Sequence, residues 1–138
     1  MAAPFTGGCR CRAVRYQCTS EPMLVLHCHC RDCQYASGGD GSTAMIVSVD
    51  DMSIEGTFAS FASTADSGNT VLRQFCATCG SPLFARSPVS PALLAIKAAT
   101  LDDSSWLAPA AHIWMDSAPT WACVAAGVLT FPKNFGET

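Results

Sequence analysis

Cys76-Ala77-Thr78-Cys79-Gly80 decides how this chain folds, because two thiols at this spacing before a glycine form half of a tetrahedral metal site. A tight turn between the thiols brings both to one ion, and Gly80 supplies the positive φ that such a turn often needs. The other half is found in Cys9-Arg10-Cys11. Residues i and i+2 of an extended strand share a face, so this pair is expected to present both thiols from an N-terminal strand. The resulting four-cysteine site spans about 65 residues of chain, and metal bound across so long a loop contributes folding free energy outright.

Working outward, a second group lies at Cys28-His29-Cys30-Arg31-Asp32-Cys33. Cys28 and Cys30 share a face if extended, and Cys33 returns to the same point through one turn. Three protein ligands leave the fourth position of a tetrahedral zinc to water or substrate, which distinguishes a working site from a closed one. A histidine can instead close the tetrahedron, with His27, His29 and His112 as candidates. A different partition, joining Cys28 and Cys30 to Cys76 and Cys79, fits the spacing as well. Asp32, inside the three-cysteine turn, is either an acceptor behind the ligands or a turn residue. Arg10, Arg12 and Arg31 stand beside ligands, where they offset thiolate charge or serve as ordinary surface residues. The two isolated cysteines, Cys18 and Cys123, are expected to be small buried apolar residues. Trp106, Trp114 and Trp121 are expected in the core or a cleft wall, and His112 as a structural hydrogen-bonding residue.

Nine cysteines in 138 residues, seven of them clustered, favour metal over a disulfide framework. The N-terminus carries neither a charged nor an apolar signal region, so a cytoplasmic location is expected, where thiols stay reduced. Apolar residues make up 49% and charged residues 14%, which excludes a disordered chain. The formal charge is −3 and there is no basic run, so neither nucleic acid nor an anionic membrane surface is an expected partner. No apolar stretch approaches the ~20 residues of a membrane span. Seven thiolates with two zinc ions would take the charge to about −6.

Residues 1–138 show no repeat, low-complexity tract or internal boundary and are expected to form a single domain. Val14, Tyr16 and Cys18 alternate with polar residues as a half-buried strand does. Further strands are expected at Met23–Cys28, Ala44–Val49, Ser53–Glu55, Phe58–Ala62, Val71–Phe75, Leu83–Arg86 and Ile113–Met115. Asp50-Asp51 reads as a turn and Ser63–Asn69 as a polar loop, while Leu93–Ala99 suits strand or helix. One helical turn, Arg31–Ser37, stops at Gly38-Gly39. The class is mainly β.

Gly8-Cys9-Arg10-Cys11-Arg12-Ala13-Val14-Arg15-Tyr16, Cys28-His29-Cys30-Arg31-Asp32-Cys33 and Arg73-Gln74-Phe75-Cys76-Ala77-Thr78-Cys79-Gly80-Ser81-Pro82-Leu83 resemble the glutathione-dependent formaldehyde-activating enzyme family. That family shares a domain with centromere protein V. His112-Ile113-Trp114-Met115-Asp116 and Trp121 are similar to its C-terminal pattern, so the resemblance spans about residues 5–122. It implies an Mss4-like fold of twisted β-sheets around a structural zinc, with few short helical turns. It further implies that Cys9, Cys11, Cys76 and Cys79 hold that zinc and that Cys28, Cys30 and Cys33 hold a second, catalytic one.

The resemblance also implies a zinc-dependent carbon–sulfur lyase uniting a small thiol, glutathione, with an aldehyde, formaldehyde, as S-hydroxymethylglutathione. The sequence does not assign a general base; Asp32 and the histidines are candidates. The alternatives are a non-catalytic zinc-stabilised binding module, a glutathione carrier, and a zinc or thiol buffer.

Overall fold

The computed structural model describes residues 3–138. Its strands are β1 (Phe5–Gly8), β2 (Arg15–Cys18), β3 (Leu24–Cys28), β4 (Ser42–Ser48), β5 (Met52–Glu55), β6 (Phe58–Thr64), β7 (Thr70–Cys76), β8 (Pro82–Arg86), β9 (Leu93–Lys97), β10 (Ala111–Ile113) and β11 (Leu129–Thr130). Among the described residues one α-helix, α1 (Arg31–Ser37), and three single 3₁₀ turns complete the secondary structure. The class is therefore mainly β, as expected. The strands form two twisted sheets, one of three strands in the order β1-β2-β5 and one of eight in the order β11-β10-β3-β4-β9-β8-β7-β6. Pairing is antiparallel except at β10, which runs parallel to both β3 and β11.

The core lies between the sheets. Phe5, Tyr16 and Cys18 from the small sheet, with Val14 just before β2, meet Met45, Val47, Phe84, Leu94 and Ile96 from the large one, all in one buried cluster. Alternation sets this face. In β4, Met45 and Val47 point inward, as do Leu94 and Ile96 in β9, so Ala95 and Lys97 project from the opposite side. Tyr16 packs edge-on to Phe84, their ring centroids 5.7 Å apart. Burying a Leu, Ile or Phe side chain contributes roughly 1.5–3 kcal/mol relative to leaving it exposed, so this interface accounts for much of the stability.

Several local expectations are corrected. Cys9 and Cys11 are not on a strand: β1 ends at Gly8, and both lie in the turn before β2, where Arg12 adopts φ 67°. Ile113 ends β10 and Trp114 turns into a left-handed conformation at φ 56°, so no strand reaches Met115. The polar loop is shorter than Ser63–Asn69, because β6 runs through Thr64. Leu93–Ala99 resolves as strand followed by a 3₁₀ turn at Ala98–Thr100. Cys18 is buried, but Cys123 is exposed, and Trp121 is 66% exposed rather than part of a wall. The helix Arg31–Ser37 stands as expected, with Gly38 at φ 76° as its left-handed cap.

The small sheet is also tied to the segment after β9. Asp102 accepts hydrogen bonds from the Thr6 hydroxyl (2.7 Å) and from both terminal nitrogens of Arg15. Arg15 first, then Thr6, holds the Asp102 carboxylate down at about 2, below its ordinary 3.8. A lowered carboxylate contributes stability above about pH 4, and loses it as pH falls towards 2. The pair is partly exposed, with 42% of the Asp102 side chain accessible, so solvent screening keeps the contribution below about 1 kcal/mol. Asp102→Asn is expected to lower the midpoint of urea unfolding slightly at pH 7. Near pH 2 the two proteins are expected to unfold at the same urea concentration; an undiminished difference there would contradict the assignment.

Candidate functional site

The two sheets meet at a pair of similar turns. In the first, Cys9 N–H donates to Val14 O (3.1 Å) and Arg12 N–H to Cys9 O (3.1 Å). In the second, Cys76 N–H donates to Ser81 O (3.0 Å) and Gly80 N–H to Cys76 O (2.9 Å). Gly80 takes the expected positive φ, 78°. Ser81 links the turns: its hydroxyl oxygen accepts from Arg10 N–H at 3.1 Å and lies 3.1 Å from Cys79 Sγ.

The ligand atoms of Cys9, Cys11, Cys76 and Cys79 all fall within 4.8 Å of one another. Cys9 Sγ is 3.6 Å from Cys11 Sγ, which is 3.8 Å from Cys76 Sγ. Zinc–sulfur bonds of about 2.3 Å in a tetrahedron place sulfurs ~3.8 Å apart, so the donor set fits that ion. Backbone amides already point at the sulfurs, Val14 N–H at Cys9 (3.2 Å) and Thr78 N–H at Cys76 (3.3 Å). Such donors favour thiolates. Hydrogen bonds from Ser81 hold the Cys79 thiol down at about 5.

The second group forms where β3 runs into α1. Cys28 ends the strand, Cys30 caps the helix and Cys33 lies in its first turn, with Cys33 N–H donating to Cys30 Sγ at 3.3 Å. Their sulfurs also lie within 4.8 Å of one another. Three thiols so close do not ionise independently. Hydrogen bonds from Cys28 and Cys30 hold Cys33 low, helped by Lys97 and Arg73, while Cys30, Cys33 and burial push Cys28 up. Arg73 Nη2 approaches Cys33 Sγ at 4.0 Å. Buried Gln34 fixes the start of α1, donating to His29 O (2.9 Å) and Ser117 O (3.0 Å).

The histidines that were candidates to close this group assemble instead into one of their own, His27, His29 and His112. His29 Nδ1 faces the Asp40 carbonyl at 3.1 Å; a carbonyl only accepts, so this nitrogen carries the proton. His29 Nε2 then accepts from His112 Nδ1 at 2.9 Å. His27 Nε2 donates to Asp40 Oδ1 at 3.0 Å and Nδ1 accepts from the Thr43 hydroxyl at 2.7 Å. Burial lowers the pKa of His29 and His112, in keeping with neutral rings. With all but His112 Nε2 engaged, the trio is a hydrogen-bonded brace between β3, β4 and β10. It also gives His112 the structural role expected of it.

A cavity of about 790 Å³ is lined by Cys9 of the first group and by His27, Gly41 and Ser42, which flank or pair with Cys28 of the second, whose own three thiols are not in its wall. Cys9, Arg10, Arg12, Ser37, Ser42 and Lys97 are among the residues that line it. Gly41 permits the close approach of β4 to Cys28, because a Cβ there would collide with the Cys28 carbonyl. Asp32 lies in the first turn of α1 with Oδ2 buried and without a hydrogen-bond partner among the described residues. The helix N-terminus offsets its charge.

The model of the glutathione-dependent formaldehyde-activating enzyme family matches residues 4–117. The chain belongs to this family. The family match covers all three quoted cysteine motifs and His112-Ile113-Trp114. Among solved structures, the chain is similar to the crystal structure of a Rhodobacter sphaeroides protein at 20% identity and a TM-score of 0.54. That alignment covers 70% of this chain and 87% of the other, and it supports the fold alone. No match to a curated protein was found. Family membership indicates an activity related to glutathione and formaldehyde, with cysteine clusters able to hold a metal ion. No helix among the described residues is long and apolar enough to cross a membrane.

Sequence reasoning did not identify Arg73, Lys97, Ser42 or Asp40 at the site. Only Lys97 left a signal. It is a lone cation in the apolar run Leu93–Ala99, on the alternation opposite buried Leu94 and Ile96.

Proposed function

We propose that the chain is a zinc-dependent carbon–sulfur lyase-type enzyme of the cytoplasm. It joins and splits a carboxylate-bearing thiol such as glutathione and a small aldehyde such as formaldehyde. Cys28, Cys30 and Cys33 are its catalytic zinc ligands, and Cys9, Cys11, Cys76 and Cys79 hold a second, structural zinc. One observation carries this reading: a convergent three-thiol group, with no fourth member among the described residues, is joined through Ser42, the register partner of Cys28, to a cavity walled by half of the chain's cations. Arg10, Arg12, Arg15 and Lys97 line it, four of eight in a protein of net charge −3.

A zinc ion held by Cys28, Cys30 and Cys33 would offer a fourth position that favours the ionised form of a substrate thiol. The chain's own residues do the remaining work. Arg73 Nη2 lies 4.0 Å from Cys33 Sγ, and Arg73 and Lys97 set positive charge near the three thiols. Arg15 is engaged by Asp102, which leaves Arg10 and Arg12 at the cavity mouth to receive carboxylates. The cavity walls keep the reacting atoms together, turning a bimolecular encounter into a positioned one.

Two exposed arginines contribute roughly 0.5–1 kcal/mol each to an ionic contact, so Arg10→Ala combined with Arg12→Ala should raise the KM for glutathione about tenfold. The kcat should be unchanged, and the effect should shrink with added salt. The proposal itself is tested by following adduct formation from glutathione and formaldehyde over the spontaneous rate, by exchange NMR, with the zinc-loaded chain. Acceleration that 2-mercaptoethanol does not share supports an enzyme selective for anionic thiols. Tight glutathione binding with no acceleration would instead identify a carrier module.

A further inference from the structure

Lys97 lines the cavity, and its charge interacts with the three thiols, Cys33 foremost. On β4, Ser42 is the register partner of Cys28, and Ala44 is that of Lys97, so the lysine lies two strands from the thiol group on the same sheet. Its Nζ donates to Ser42 Oγ at 2.9 Å, and both residues line the cavity. An ammonium has three donors. Ser42 takes one, and the described residues supply no acceptor for the others. Burial disfavours the charge of Lys97, while the thiols beside it, Cys33 foremost, favour it. A half-buried ammonium with unused donors on a cavity wall is placed to offer them to an acceptor that enters the cavity and displaces water.

We propose that Lys97, steadied by Ser42, is a catalytic residue whose ammonium receives the aldehyde oxygen as the carbon–sulfur bond forms. This rests on the thiol–aldehyde reading above. The thiolate sulfur donates its electron pair to the carbonyl carbon, forming the C–S bond. The C=O π pair moves onto oxygen, and the alkoxide so formed accepts hydrogen bonds from the ammonium. The proton released to solvent when the thiol ionised is balanced by one taken from solvent by the alkoxide. Thiol plus aldehyde thus equals hemithioacetal, with no oxidant or reductant. Donors aimed at charge that develops only during the reaction act mainly on kcat.

The test uses the full zinc-loaded chain and its Lys97→Met, Lys97→Arg and Ser42→Ala variants. Lys97→Met is expected to lose about 10²–10³-fold in kcat, with zinc content, thermal midpoint and KM for glutathione unchanged. Lys97→Arg should recover part of the rate, and Ser42→Ala should lie between. Binding calorimetry provides a readout independent of turnover. Lys97→Met should bind glutathione as wild type does, yet bind S-acetylglutathione, whose carbonyl oxygen sits on the sulfur-bound carbon, several-fold more weakly. If wild type is active and Lys97→Met matches it, the lysine inference fails while the thiol–aldehyde reading stands. If Lys97→Met loses zinc or its native melting and Ser42→Ala keeps full kcat, Lys97 is only a counter-charge to the thiols, and the inference is again overturned. If wild type accelerates no adduct formation, the underlying reading falls, and the inference with it.

Discussion

Cys76→Ser is expected to yield protein that does not fold. The four sulfurs of Cys9, Cys11, Cys76 and Cys79 join the turn between β1 and β2 in the small sheet to the turn between β7 and β8 in the large one. A metal ion held by all four would therefore cross-link the two layers that enclose the core. Structural zinc contributes roughly 10–16 kcal/mol at pH 7 in small domains, whereas a domain of this size is stable by about 5–15 kcal/mol in total. Serine offers a neutral hydroxyl at neutral pH in place of a thiolate. The loss is thus comparable with the whole stability, and Cys9→Ser should behave alike. Circular dichroism and the soluble yield report the outcome. Native-like soluble protein with unchanged melting from both variants would contradict the structural role.

Cys30→Ala is expected to do the opposite, keeping the fold and losing the activity. Cys28, Cys30 and Cys33 lie within six residues at one strand end, so a metal held by them would close only a short loop. Compared with the 65-residue separation of Cys11 and Cys76, the loop-closure difference alone is about 2 kcal/mol. More important, removing this metal leaves both sheets joined. The variant should retain the zinc of the four-cysteine site, melt within a few degrees of wild type, and lose thiol–aldehyde turnover to background. If it unfolds as Cys76→Ser does, the second group is structural too. The enzyme reading then loses its support.

How far the sequence could be read follows from the range of the interactions. The four-plus-three grouping of the cysteines was one of two partitions that the spacing allowed; the family resemblance pointed to it, and the sulfurs do converge that way. The helix at Arg31–Ser37 was legible because Gly38-Gly39 stops it. The turn at Cys9–Arg12 was not, because a non-glycine residue at φ 67° leaves no compositional mark. The N-terminal strand was expected too late, at Cys9–Cys11, because Phe5-Thr-Gly-Gly has little strand propensity and owes its conformation to pairing with β2. β11, two residues long, exists through its parallel pairing to β10. The histidine brace joins residues 83 apart through sheet register, which no local periodicity reveals. Lys97 showed its face by alternation but not its neighbours.

Zinc content and zinc K-edge absorption of the purified wild-type chain, before and after glutathione is added, test the central claim most directly. One zinc per cysteine group is expected, one of them held by four protein sulfurs and unaltered by the thiol. The other should be bound by three protein sulfurs and a lighter atom, which glutathione replaces with a fourth sulfur. A single zinc per chain, or a second zinc whose coordination does not change in saturating glutathione, would contradict the pairing of one closed and one open site.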